Sequence, residues 1–143
     1  MEYRRFNNHI VLRLNVGEEL ISSVLKLAEK ENIKLASVSG IGATNDATLG
    51  VFEIGTKTYH KKRFCSCDYE IASLMGNLSV MDTKPYLHLH AVVGSPETGE
   101  CHGGHLSEAM ISATAEIVIS VIDGIVDRTY SDDVGLNLFD FNK

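Results

Sequence analysis

From residue 34 onward, segments in which apolar residues recur with a period of two alternate with short polar breaks, and this period constrains the fold of the chain more than any other feature. Residues 34–39, 49–54, 59–64, 69–81, 85–93 and 113–122 are rich in β-branched side chains and separated by short polar breaks, so each reads as a strand. Residues 8–14 alternate in the same way and stop at Asn15 and Gly17. Only one stretch departs from this pattern. Within residues 18–31, Leu20, Ile21, Val24, Leu25 and Ala28 form a stripe at helical spacing, with Glu18 and Glu19 at the end where the helix dipole is positive. Residues 107–112 fit either period. One early helix followed by strands with short connections predicts an α+β class: a mostly antiparallel sheet with one main helix packed on it, in a single domain spanning residues 1–143.

The segment Gly40-Ile41-Gly42-Ala43-Thr44-Asn45-Asp46 reads as a tight turn between two strands, because glycine and asparagine tolerate positive φ. It is not a phosphate loop. The third glycine is missing, and a strand follows where a helix N-terminus would have to hold the anion.

With 143 residues, 44% of them hydrophobic, the chain has enough apolar material for one sizeable core. Two prolines, Pro85 and Pro96, and no Ser/Gly-rich tract leave no linker, and no repeat of 20 to 50 residues occurs. Met1-Glu2-Tyr3-Arg4-Arg5 is followed by no apolar targeting core, and no apolar run is long enough to span a bilayer, so a cytoplasmic protein without membrane contact is expected. Cys65, Cys67 and Cys101 are too few and too closely spaced for a thiolate zinc site or a disulfide framework, and read as small apolar residues. The formal net charge of -6 repels phosphates, so nucleic acid is not expected to be bound tightly. Lys57, Lys61, Lys62 and Arg63 are a local exception that reads as a solvated face.

The chemistry concentrates in Tyr86-Leu87-His88-Leu89-His90-Ala91-Val92-Val93. Residues two apart on a strand share a face, so His88 and His90 present their imidazoles side by side. Two such rings repel each other when protonated and cooperate when both are neutral and bound to a cation. A turn around residues 95–99 returns the chain, and Gly103-Gly104 would let it bend so that His105, or else His102, reaches the pair. Three imidazoles with an open fourth position suit zinc or another divalent transition metal, bound less well as pH falls through the imidazole range near about 6.5.

These residues belong to a longer pattern. Gly17-Glu18-Glu19-Leu20, Ser39-Gly40-Ile41-Gly42-Ala43, residues 69–78, His88-Leu89-His90 and Gly103-Gly104-His105-Leu106 together resemble the plant and prokaryote conserved (PPC) domain. That domain stands alone in bacteria and archaea and is joined to AT-hooks in plant nuclear proteins. The resemblance covers nearly the whole chain. It implies a compact α+β fold, a homotrimer, and a metal held by His88, His90 and His105, with His102 outside the matched core. The AT-hook's Arg-Gly-Arg core is absent from this chain, so a DNA-binding role would rest on analogy alone.

Three functions follow as expectations. The first is a trimeric binding or regulatory module with a zinc site, facing a small ligand or a partner protein. The second is a zinc-dependent hydrolase or lyase, for which Glu53, Glu70, Glu100 and Glu108 are the available acids or bases. The third is DNA binding by family analogy. Trimerisation also suits the alternation in residues 117–122, where Val118 and Ile122 face away from Ile117 and Ile119, leaving two apolar faces to cover.

Overall fold

The computed structural model describes residues 1–142. In chain order the elements are β1 (Glu2–Phe6), β2 (His9–Asn15), α1 (Leu20–Lys30), β3 (Ala36–Glu53), β4 (Thr58–Phe64), β5 (Tyr69–Met81), β6 (Lys84–Ser95), β7 (Glu100–Val121), β8 (Asp127–Ser131) and β9 (Leu136–Asp140). This corrects the expected α+β class. Strands take 67% of the structure and helix 8%, so the fold is β-rich with a single short helix. The physical reason is that the ambiguous residues 107–112, the supposed turn at 40–46 and the segments 2–6, 127–131 and 136–140 are all extended.

Seven strands form one antiparallel sheet in the order β1-β2-β7-β6-β5-β3-β4, and β7 also pairs with β3. That additional pairing closes a circuit through β7, β6, β5 and β3. Strands β8 and β9 form a separate hairpin. Along each strand one face is buried: Ile10, Leu12 and Leu14 on β2, Leu89, Ala91 and Val93 on β6, and Ile111, Ala115, Ile117 and Ile119 on β7. Helix α1 adds Leu20, Val24, Leu27 and Ala28 to this core. Burying each of its leucine or valine side chains is worth roughly 1.5–3 kcal/mol. Glu19 caps the helix, its carboxylate accepting from the amides of Ile21 and Ser22 at 3.0 and 2.7 Å.

Residues 40–46 do not turn. They lie inside β3, an 18-residue strand whose register slips against β5 and β7 at Gly40, Gly42 and Thr44. Neither glycine has positive φ among the described residues. They are small because β7 is close: a Cβ on Gly42 would lie 2.6 Å from the Thr114 carbonyl oxygen. Glycine there permits strand contact and bulging.

Candidate metal centre

Strand β6 carries Leu89, Ala91 and Val93 inward, so alternation turns Tyr86, His88 and His90 to the opposite, outer face. Beyond Ser95 the chain reverses through Gly99, at φ 70°, and β7 returns beside β6. In that register His90 lies directly across from His105. The Gly103-Gly104 pair does not bend the chain, contrary to the sequence expectation, because both residues sit in the regular β6–β7 ladder. Gly104 instead allows close approach of β3, since a Cβ there would lie 2.7 Å from the Gly50 carbonyl oxygen.

Three imidazoles are thereby brought together. Ring centres of His88 and His90 lie 5.2 Å apart, those of His88 and His105 5.2 Å, and those of His90 and His105 5.7 Å. One ring nitrogen from each falls within 4.8 Å of the others. His90 is exposed, whereas His88 and His105 are half-buried. The Nδ1 of His105 is buried without a hydrogen-bond partner, a condition that costs about 1–3 kcal/mol unless another species meets it. Tyr59 packs on the His105 ring at 5.3 Å. Three converging imidazoles, one of which also has an orphaned buried nitrogen, fit a divalent cation of the zinc type.

His102 stands apart. It lies three residues from His105, on the opposite side of β7, stacked on Phe64 at 4.3 Å with its Nε2 3.2 Å from Glu100. None of Glu53, Glu70, Glu100 and Glu108 joins the imidazole group: Glu53 pairs with His60, and Glu100 with His102. Sequence reasoning missed Arg128, which reaches the same region from β8.

Electrostatics favour the neutral forms of His88 and His105. Burial pulls His105 down to about 4, helped by the positive potential of His88, His90 and Lys61. Burial also lowers His88, helped by His90 and Arg128. Protonation of these two rings therefore begins below the ordinary imidazole range expected from the sequence.

A closed antiparallel β-circuit with three imidazoles converging on its outer face defines a small β-domain with a candidate transition-metal centre. The chain belongs to the Plants and Prokaryotes Conserved (PCC) domain family, whose model matches residues 1–123. No curated protein matches it. Among solved structures it is similar to a "putative DNA binding protein" of Bacteroides thetaiotaomicron, with 33% identity, TM-score 0.94, and 99% of this chain and 98% of that one covered. A metal-containing protein of Archaeoglobus fulgidus shares 33% identity at TM-score 0.85, with 96% of each chain covered. A plant- and prokaryote-conserved protein of Pyrococcus horikoshii shares 31% identity at TM-score 0.84, covering 99% of this chain and 95% of that one. The Bacteroides protein's name does not support the expectation that nucleic acid is bound only weakly. No helix among the described residues is long and apolar enough to cross a membrane.

In the unfolded chain His88 and His105 take up protons near 6.5, well above the folded value of about 4 for His105. Over that interval the unfolded state binds more protons, so stability falls as pH falls. Metal-free protein is thus expected to lose stability steadily from pH 6.5 to 4 in urea titrations, and His105→Gln to flatten that slope. An unchanged slope in the variant would exclude His105 as its source.

Proposed function

We propose that the domain is a trimeric binding or regulatory module whose His88, His90 and His105 hold one divalent cation, with zinc the best chemical match. The observation that carries this reading is the convergence of one ring nitrogen from each of three histidines within 4.8 Å on one sheet face, with the Nδ1 of His105 buried and unpartnered. The metal-containing Archaeoglobus neighbour supports it. When bound, such a cation supplies Lewis acidity and, through an open position, a place for a ligand oxygen. The chain's own part is to orient the three nitrogens and keep two of the rings neutral. A zinc-dependent hydrolase or lyase is the alternative, and it would need an acid or base other than the four glutamates considered.

An exposed apolar row supports the trimer. Val11 pairs with Val118, Val118 with Ser39, and Ser39 with Met75 across β2, β7, β3 and β5. Val11 is 47% exposed, Val118 40% and Met75 63%, with Ile41 beside them at 58%. The next cross-strand partner of Met75 is His90, so the row runs up to the imidazole cluster.

DNA binding is a further reading, favoured by the Bacteroides neighbour's name. Against it stand the net charge of -6 and the state of the basic cluster. Arg63 is held by both carboxylate oxygens of Asp46 at 2.7 and 2.5 Å, Lys57 donates to the Asp132 carbonyl, and Lys62 lies over the Phe64 ring.

Metal analysis of purified protein is expected to find one zinc per chain. His88→Ala, His90→Ala and His105→Ala should each lose about tenfold or more in affinity while staying folded, and His102→Ala should bind as wild type. Full zinc content in the triple variant would end the assignment. Light scattering is expected to give three times the 15.7 kDa chain mass, and a monomer at micromolar concentration would exclude the trimer. At physiological salt, DNA affinity is expected to be weaker than roughly 10⁻⁶ M without AT preference. Tighter, AT-selective binding would move the assignment to a DNA-binding module.

A further inference from the structure

The β8–β9 hairpin lies beyond the segment matched by the family model, and it sets Arg128 against the outer face beside the imidazoles. Asn77 is the cross-strand partner of His88, and Ser79 that of Tyr86. Arg128 donates from Nε to the Ser79 hydroxyl, from Nη2 to the Asn77 side-chain oxygen and from Nη1 to the Asn137 carbonyl, each at 2.8 Å. Its guanidinium carbon lies 4.6 Å from the Tyr86 ring centre and 4.3 Å from that of Phe139.

Arg128 is only 5% exposed, yet every one of these acceptors is neutral. No carboxylate among the described residues forms an ion pair with it. A buried cation without an anionic partner is strongly disfavoured unless something else supplies the charge. A guanidinium has five N–H groups, and three are used here, which leaves one on each terminal nitrogen.

Arg128 borders a cavity of about 230 Å³ that is also lined by Tyr59, Tyr86, His88, His105 and Phe139. Arg128 is its one permanently charged lining residue. A single positive charge, two spare donors and aromatic walls match a planar monoanion better than a tetrahedral dianion, which draws on several cations and many donors.

We propose that this cavity is a binding site for a small carboxylate, its carboxyl group taken by the guanidinium of Arg128 and its body packed between Tyr86, Phe139 and Tyr59. His88 and His105 form the opposite wall, so the second end of such a ligand faces the imidazole cluster. This last placement rests on the metal reading above, whereas the contact with Arg128 does not.

The test uses full-length protein, its zinc content measured first, with benzoate as probe and benzamide and inorganic phosphate as comparisons. Calorimetry is expected to show one benzoate per chain at zinc-loaded protein and no binding of benzamide. Arg128→Lys should keep its zinc and lose about tenfold or more in benzoate affinity, as a two-point contact becomes one. Nuclear Overhauser contacts from benzoate to the rings of Tyr86 and Phe139 in the wild type provide a check that needs no variant. The proposal is overturned by absent binding at millimolar benzoate, by equal affinity in Arg128→Lys, by benzamide binding as tightly, by phosphate binding more tightly, or by missing ring contacts. If the wild type holds no zinc, the metal reading fails separately. The same titration of metal-free protein then decides the carboxylate site, with Arg128-dependent binding supporting it and no binding overturning it.

Discussion

Strand β7 is hydrogen-bonded along both edges for most of its 22 residues, and the positions of the remaining elements follow from how those edges are filled. One edge is taken by β3, from His105 to Val121. The other is shared. Strand β6 occupies residues 100–105, and β2 occupies residues 114–120. Between them the chain entering α1 fills the gap: Gly17 donates to the Ile111 carbonyl, Ile111 donates to the Glu18 carbonyl, and the Ala109 amide donates to the Glu19 side chain. A buried strand cannot leave amides unpaired without cost, so the helix start is fixed where β6 and β2 leave room. Glu19 serves both requirements, since the carboxylate that caps α1 also accepts from β7.

The same accounting positions the site. His105 is the residue at which β7 is paired with β6 on one edge and β3 on the other. It therefore cannot slide or rotate without breaking two ladders, and its ring is committed to the outer face beside His88 and His90. On that face β5 and β6 offer Asn77, Ser79 and Tyr86 as a polar shelf, and the β8–β9 hairpin lays Arg128 across it. Rigid strands thus fix both halves of the candidate site, the imidazoles and the guanidinium, with loops contributing to neither.

Much of this arrangement was legible because a period of two is a statement about direction. Once residues 85–93 are a strand, His88 and His90 share a face whatever the rest of the fold does. The reversal near residue 99 could be read from local turn chemistry, and with it the approach of His105. Glycines misled where their role was non-local. Gly40, Gly42 and Gly104 look like flexible positions in the sequence, but each is small because another strand's backbone passes within contact distance, which depends on long-range register. The balance between helix and strand was misjudged for a related reason, since residues 107–112 become strand only through bonds to β3 and to the start of α1. Arg128 was invisible for the strongest form of this reason: two of its three acceptors lie 49 and 51 residues earlier, on a strand that nothing local connects to it.

No carboxylate among the described residues is ion-paired with the Arg128 guanidinium, the Asp127 side chain accepting from the Arg128 backbone amide instead, and this suits what the imidazoles require. An aspartate or glutamate placed there would neutralise the guanidinium, but its negative potential would also reach His88 and His105 in the same low-dielectric cavity and raise their proton affinity. Protonated rings cannot ligate a cation, so an acid that solved one problem would create another. Leaving Arg128 unpaired does the reverse, because its charge is one of the causes that hold His88 below its ordinary value. The chain is acidic as a whole, at -6, yet it keeps this pocket positive and free of ion-paired acids. A positive potential keeps ring lone pairs available and draws in an anion that arrives from solvent. The two halves of the site are therefore coupled through one electrostatic condition: the charge that adds to burial in holding His88 neutral is also the charge that an incoming carboxylate would satisfy.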